Sequence, residues 1–401
     1  MKVFLVVLLF YIPMNKSNLF LVFCLLVAFS CQSPTRNDEV TKLIEELKAK
    51  HAPDKRVALW NITFENDSLK GETNLPEAYQ ELIAELEAVE LNFINAVKQL
   101  PDSNLGDQTK ALVTISVANI RSQPKHSAEL ATQALMGTPL TVLKEEDGWF
   151  LVQTPDQYVA WIDRAGIQLL SEAELEAWYR APKLVFTDLV GYVWETADGK
   201  EMVSDLVAGD LLTIENESSS HYFISLPDKR KGWVSKSQSQ LWENWIATRN
   251  TNPETLINTA KQMMGTPYLW GGTSIKGMDC SGFTKTIFYL NGQIIPRDAS
   301  QQINEGELID ADKNWEKLQV GDLLFFGEKA TEEKKERVVH VGMWIGNGEF
   351  IHARGLVRIS SFDPENPNYD EYEFNRYLRT KRIVNVPSEN IRSVANLTTK
   401  N

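Results

Sequence analysis

The 401-residue chain is predicted to be an α+β protein with a mainly helical start, two small all-β units and a mixed C-terminal unit, on three observations. Apolar residues recur at three- and four-residue spacing between 38 and 105. A pattern at 137–162 returns 72 positions later at 209–234. After residue 250, helix punctuation and period-two strand patterning alternate within one stretch. With 43% hydrophobic and 24% charged residues, the composition is that of an ordinary globular body, and a net charge of -13 argues against nucleic acid as a partner.

Residues 1–31 read as an export signal. The polar, basic stretch Met14-Asn-Lys-Ser-Asn precedes the apolar run Leu19 to Phe29, and Ser30-Cys31 follows. A small residue before a cysteine at the end of such a run resembles the bacterial lipoprotein processing site, with Cys31 as the lipidated residue; Phe29 is bulkier than usual at its position. The earlier apolar run, 1–13, carries its own lysine and leaves Met1 and Met14 both as starts, Met14 being favoured. A single membrane-spanning anchor is the other reading, but Asn15, Lys16 and Asn18 split the apolar stretch into short pieces. The body is therefore expected to be exported and lipid-anchored at a bacterial membrane, in the periplasm or at the cell surface.

In 38–105, EVTKLIEELKAK and PEAYQELIAELEAVELNFINAVKQL are helical patterns around one strand candidate, VALWNITF, with Leu82, Leu86, Val89 and Phe93 on one face. Core packing accounts for them and no chemistry is assigned there. The repeat comprises pairs such as Gly137/Gly209, Leu140/Leu212, Pro155/Pro227 and Trp161/Trp233, in short alternating runs that mark two all-β units at 110–175 and 181–246. Their pattern resembles bacterial SH3-like domains. Ser171-Glu-Ala-Glu174 is a capping box for the helix between them. The copies differ where Tyr158 of the first stands at the place of Arg230 in the second.

The unit at 250–385 holds Cys280, the last of three cysteines and the one left unpaired once the signal is removed. Asp279 is placed as the N-cap of a helix, DCSGFTKTIFYLNG, that would set Cys280 at its first turn, where the helix dipole favours a thiolate. Two of five histidines lie in HVGMWIGNGEFIHA. An odd-numbered Gly-Asn-Gly loop would place His340 diagonal to His352 on one sheet face, whereas a two-residue Asn347-Gly348 turn would put them on opposite faces. A thiol with a base and an orienting residue is the set nucleophilic catalysis needs. Zinc on Cys and two His is the alternative, without CxxC or HExxH spacing to accompany it. The charged run EKATEEKKER (328–337) reads as a solvated loop.

The ordered motifs GTPYLWGG, DCSGF, PRDASQQ, GDLLFF and HVGMWIGNGEFIHA resemble the NlpC-type, papain-like cysteine peptidases over 253–385; with two SH3-like units in front, the chain is similar to the γ-D-glutamyl-L-diamino-acid endopeptidases of murein peptide recycling. The resemblance implies Cys280 as nucleophile, His340 as base and His352 as orienting residue. It implies Tyr268 near the thiolate and oxyanion, Trp270 as a wall, and Asp279, Ser281, Arg297 and Asp298 on the substrate side. Tyr158 and Glu129 of the first SH3-like unit are the candidates to meet the free amine of the substrate's L-alanine, with Asp279 sharing that end. No cofactor or resident metal is implied, and the protein is expected to act as a monomer on murein peptides. A general wall amidase or endopeptidase and a non-catalytic wall-binding lipoprotein are the competing functions.

Overall fold

The computed structural model describes residues 36–399, so the signal segment and Cys31 lie outside the described residues. The N-terminal unit runs α1 (Arg36–His51), β1 (Trp60–Glu65), β2 (Ser68–Thr73), α2 (Pro76–Ala88) and β3 (Ile94–Gln99). β1 and β2 form an antiparallel hairpin, and α2 is the crossover that lets β3 lie parallel to β2. Val40, Ile44 and Leu47 of α1 and Leu82 and Leu86 of α2 bury against Trp60, Ile62 and Phe64.

The unit is thus less helical than its periodicity predicts. Leu82 and Leu86 are buried as expected, but α2 stops at Ala88, Val89 is exposed, and the stretch expected to continue the helix is β3. That strand buries almost no side chain. Its main-chain pairing with β2 outweighs a helical period that had no further core to cover.

Two seven-stranded sheets follow, spanning Lys110 to Leu170 and Lys183 to Leu241. The repeat extends to backbone detail: Gly137 and Gly209 both hold positive φ, and the ladder shifts register between Val142 and Lys144 in one copy and between Ile214 and Asn216 in the other. Ser171 and Glu174 form the capping box of the linking helix, Glu172–Arg180.

The last unit packs α3 (Pro253–Gln262) and α4 (Cys280–Leu290) on a six-stranded antiparallel sheet of order β4 (Glu307–Asp310), β9 (Tyr377–Arg382), β5 (Leu323–Glu328), β6 (Arg337–Gly346), β7 (Glu349–Arg354) and β8 (Leu356–Ser361). Phe283, Ile287 and Phe288 of α4 bury completely against Phe325, Val341, Met343 and Ile351 of the sheet, which holds the helix rigidly across the strand bearing His340.

Candidate active site

Cys280 is the first residue of α4, and the cap beneath it is built from a buried ion pair. Asp279 Oδ1 accepts from Gly282 N–H at 2.7 Å as the N-cap, and Oδ2 accepts from Gly271 N–H at 2.9 Å. Arg297, 1% exposed, adds bonds of 3.1 and 2.6 Å to the two oxygens and one of 2.9 Å to Ser281 Oγ, while its Nε donates to Thr132 Oγ1 of the first SH3-like unit at 3.1 Å. Both oxygens of Asp279 accept from donors of the protein, and Asp279, Ser281 and Arg297 all line the cleft, with their polar atoms bound to one another.

The thiol of Cys280 lies against the main-chain N–H of Val341, the residue after His340 on β6. The turn between β6 and β7 is the two-residue Asn347-Gly348 type, with φ of 54° and 78° and Gly346 paired to Glu349. By itself that turn separates the histidines to opposite faces. A bulge between Trp344 and Gly346 inserts one extra residue, restores the odd count and brings both histidines to one face.

His340 Nε2 and His352 Nδ1 are 2.7 Å apart, His352 Nε2 is 3.0 Å from Ser360 Oγ, and Ser360 Oγ is 3.2 Å from Asp370 Oδ2. Asp370 is capped by Arg354 and Arg358 at 3.1 Å each and is held below the usual carboxylate range. Following the shorter contacts, Ser360 donates to the ionised Asp370, His352 Nε2–H to Ser360, and His340 Nε2–H to His352 Nδ1, while Arg358 Nε, which would favour the opposite tautomer, stands off at 3.5 Å from His352 Nε2. His340 is thereby left with an unprotonated Nδ1 as the nitrogen available to the thiol. The fully buried Glu373, 3.9 Å from His340 Nε2 and paired with Arg376 at 2.7 Å, flanks the same ring.

His340, His352 and Glu373 do offer three ligand atoms within 4.8 Å of one another. Two nitrogens sharing a tetrahedral zinc at about 2.0–2.1 Å would stand about 3.3 Å apart. The 2.7 Å separation of the imidazoles suits a shared proton.

Burial pushes the Cys280 thiol up to about 12, with Asp279 adding to the rise, and burial drives His340 well below 6.5, helped by His352, Arg376 and Arg354. Burial beside Arg358 and Arg354 likewise lowers His352 to about 3. The thiol on α4 and the imidazole on β6, two elements packed against each other, are therefore both neutral at rest, the state of a nucleophile that its base deprotonates as it attacks.

Around the thiol lies a cleft of about 400 Å³ assembled from three units. Tyr268 and the exposed Trp270 form part of its wall, and Trp270 Nε1 donates to Glu129 Oε1 of the first SH3-like unit at 2.7 Å. Tyr158 of the same unit is mostly buried, its phenol kept protonated by burial and by Asp298, and it donates to Asp298 Oδ2 at 3.4 Å. Its repeat partner Arg230 lies elsewhere, reaching the carbonyl of Thr114 at 3.3 Å. Arg56 from the N-terminal unit, to which no chemistry was assigned, also enters the cleft and bonds Asp298 Oδ2 at 2.7 Å. The charged loop likewise is not merely solvated: Arg337, with Val338 and Val339, lines the cleft at its edge.

The NlpC/P60 family model matches residues 265–378, and the model described as "Bacterial dipeptidyl-peptidase Sh3 domain" matches 120–167. A gamma-D-glutamyl-L-lysine dipeptidyl-peptidase of Bacillus cereus is 33% identical over 261 residues, which is 62% of this chain and 76% of that protein. The chain belongs to the NlpC/P60 family. As a family member it is a cysteine peptidase, a hydrolase related to enzymes of peptidoglycan peptides. Dipeptidyl-peptidase 6 of Lysinibacillus sphaericus is 29% identical across 94% of its own length and 65% of this chain. The crystal structure of an NlpC/P60 family protein from Bacillus cereus superposes with a TM-score of 0.57 at 27% identity, covering 99% of that chain and 69% of this one. Nearly a third of the present chain thus has no counterpart in that molecule.

Proposed function

We propose that this peptidase hydrolyses the γ-D-glutamyl-diamino-acid bond of murein peptides that carry a free N-terminal L-alanine. The observation that carries the reading is the cleft lining, in which Tyr158 and Glu129 of the first SH3-like unit, Asp298 of the peptidase unit and Arg56 of the N-terminal unit share one pocket with Cys280. A small ammonium group gains charge-assisted hydrogen bonds there, whereas an alanine joined to muramic acid brings bulk and no charge. The names of the Bacillus relatives support the bond and the dipeptidyl register.

In this reading His340 Nδ1 takes the thiol proton as the sulfur attacks the γ-carbonyl of D-glutamate. The oxyanion is met by the Cys280 N–H and by Tyr268. The C–N bond breaks as His340 returns the proton to the leaving amine of the diamino acid, and water, deprotonated by His340, then cleaves the thioester.

The test is kcat/KM for L-Ala-γ-D-Glu-diamino-acid tripeptides and their N-acetylated forms, followed by mass spectrometry, with Cys280→Ala as the inactive control. A large preference for the free amine is expected. Equal rates on the two substrates would overturn the proposal in favour of a general wall hydrolase. The same proposal places the protein at a bacterial membrane through a lipid on Cys31; Cys31→Ser should lose palmitate labelling and keep peptidase activity, and labelling that survives the change would remove the anchor assignment.

A further inference from the structure

We infer that Arg56 is a positioning residue of the peptide site, and that the N-terminal unit is thereby a working part of the peptidase. The inference rests on the free-amine reading above and adds the residue that fixes its carboxylate.

Arg56 sits in the turn between α1 and β1. Asp54, two residues earlier, accepts from the Arg56 main-chain N–H at 2.9 Å and from its side-chain Nε and Nη2 at 2.8 and 2.7 Å. That fork removes most of the freedom of a long side chain and aims Nη1 at the peptidase, where it donates to Asp298 Oδ2 at 2.7 Å and Ser300 Oγ at 2.9 Å. Gln301 locks the fork from the other side, donating to Asp54 Oδ2 at 2.9 Å. The main chain of the turn is tied to the first SH3-like unit, Val159 N–H donating to Arg56 O at 2.7 Å and the Gln153 amide to Val57 O at 3.0 Å. One short turn is therefore bonded to the residue after Tyr158 and to the residue that Tyr158 touches.

Arg56 and Tyr158 both engage Oδ2 of Asp298, Oδ1 stands 3.9 Å from Arg297 Nη1, and Asp298 forms a capping box with Gln301 at the start of the helix Ala299–Gln302. With both Asp279 oxygens engaged twice, Asp298 and Glu129, whose Oε1 accepts from Trp270, are the cleft carboxylates with an oxygen to give. Fixing Oδ2 orients Oδ1 without occupying it. The pair also sits in the cleft wall, with Arg56 and Asp298 both part-exposed, at 31% and 27% of their side-chain surface.

The experiment uses the full chain and the free and N-acetylated tripeptides. Arg56→Ala should raise KM for the free-amine peptide about 10- to 100-fold, the range of one lost positioned, charge-assisted contact, with a much smaller change in kcat. The preference for the free amine should shrink by the same factor, and Arg56→Lys, which keeps the charge without the fork, should restore part of it. In an Asp298→Asn background the Arg56→Ala penalty should nearly vanish, because the arginine acts through that carboxylate. Equal losses on both peptides, a fall confined to kcat, or full additivity with Asp298→Asn would overturn the role of Arg56 while leaving the free-amine reading intact. A wild type that does not prefer the free amine would overturn that reading and this inference together. Thermal unfolding of each variant separates a folding defect, and Asp54→Asn, which loosens the fork from a distance, should show the same KM effect in weaker form.

Discussion

Replacing His352 with alanine should slow turnover without weakening substrate binding. His352 is fully buried and touches His340, Ser360 and the Arg358 side chain, so substrate cannot meet it. When His340 takes the thiol proton its ring becomes a cation, and the 2.7 Å bond from Nε2–H to His352 Nδ1 changes from a neutral to a charge-assisted bond. A charge-assisted bond is worth about 1.5–3 kcal/mol against about 0.5–1.5 for a neutral one; the difference of about 1–1.5 kcal/mol is what acts on the step, and at about 1.36 kcal/mol per decade its loss lowers kcat roughly 5- to 13-fold. Residual activity should remain because the thiol, His340 and the oxyanion donors are untouched. His352→Asn, whose amide oxygen can accept from Nε2–H, should recover part of the rate. Ser360→Ala should have a smaller effect, since it breaks the chain one bond further out. The assay is steady-state kinetics on the tripeptide with unfolding curves for each variant. A kcat within threefold of wild type for His352→Ala, or a loss carried by KM, would refute the relay.

In the pH profile, the acid limb of kcat/KM should have its midpoint below 6.5, because His340 must be unprotonated and its pKa is depressed; a midpoint at or above 6.5 would contradict this. On the alkaline side the thiol, pushed to about 12, stays out of range, so kcat/KM should fall near the substrate's own α-ammonium pKa of about 8 while kcat holds. Stability should decline as pH drops below about 6.5: both histidines have folded values lower than unfolded ones, the unfolded chain binds more protons in that window, and a flat urea midpoint between pH 7.5 and 5 would argue against buried neutral rings. Arg297→Met should destabilise the peptidase unit by about 3–5 kcal/mol, as breaking a buried pair leaves Asp279 uncompensated; a loss under 1 kcal/mol by urea unfolding would show that the cap holds without it.

The residues legible in the sequence are those whose placement depends on local rules. An aspartate before a helix start puts Cys280 at the first turn, and period-two alternation puts His340 and His352 on strands. The hairpin was legible only as a choice between loops, because a bulge that leaves no residue signature decides the face. Ser360 could have been found: Gly355 turns the chain, His352 pairs with Arg358, and Ser360 is the diagonal neighbour on the same face. The bonding of Asp279 could not, since two main-chain N–H groups and Arg297 must converge on one carboxylate, nor could the reach of Arg56, which meets Asp298 of another unit 242 residues away. The end of the N-terminal unit was misread for a related reason, as β3 exists by pairing with β2 and not by burying a face.

The electrostatics of the site give a reason for the proposed specificity to be built between units. A buried thiol and a buried imidazole are cheap to hold while neutral, and transferring the proton creates two charges in a medium that solvates neither well. The protein has arranged acceptors and donors for that moment: His352 under the imidazolium, with Asp370 at the end of the chain, and the helix start with the Val341 N–H around sulfur. These stabilise the charged state only if the scissile carbonyl is in place to take up the electrons of the sulfur. Placement is therefore worth more here than in a peptidase with a standing thiolate, and it must come from the far end of the substrate, since the groups beneath Cys280 are already bound to one another. In the proposed function, anchoring an ammonium at Asp298, with Tyr158 and Arg56 behind it, would supply that placement from the first SH3-like unit and the N-terminal unit. A substrate without the free amine would enter the same cleft, leave its γ-carbonyl unfixed, and meet a thiol that remains protonated.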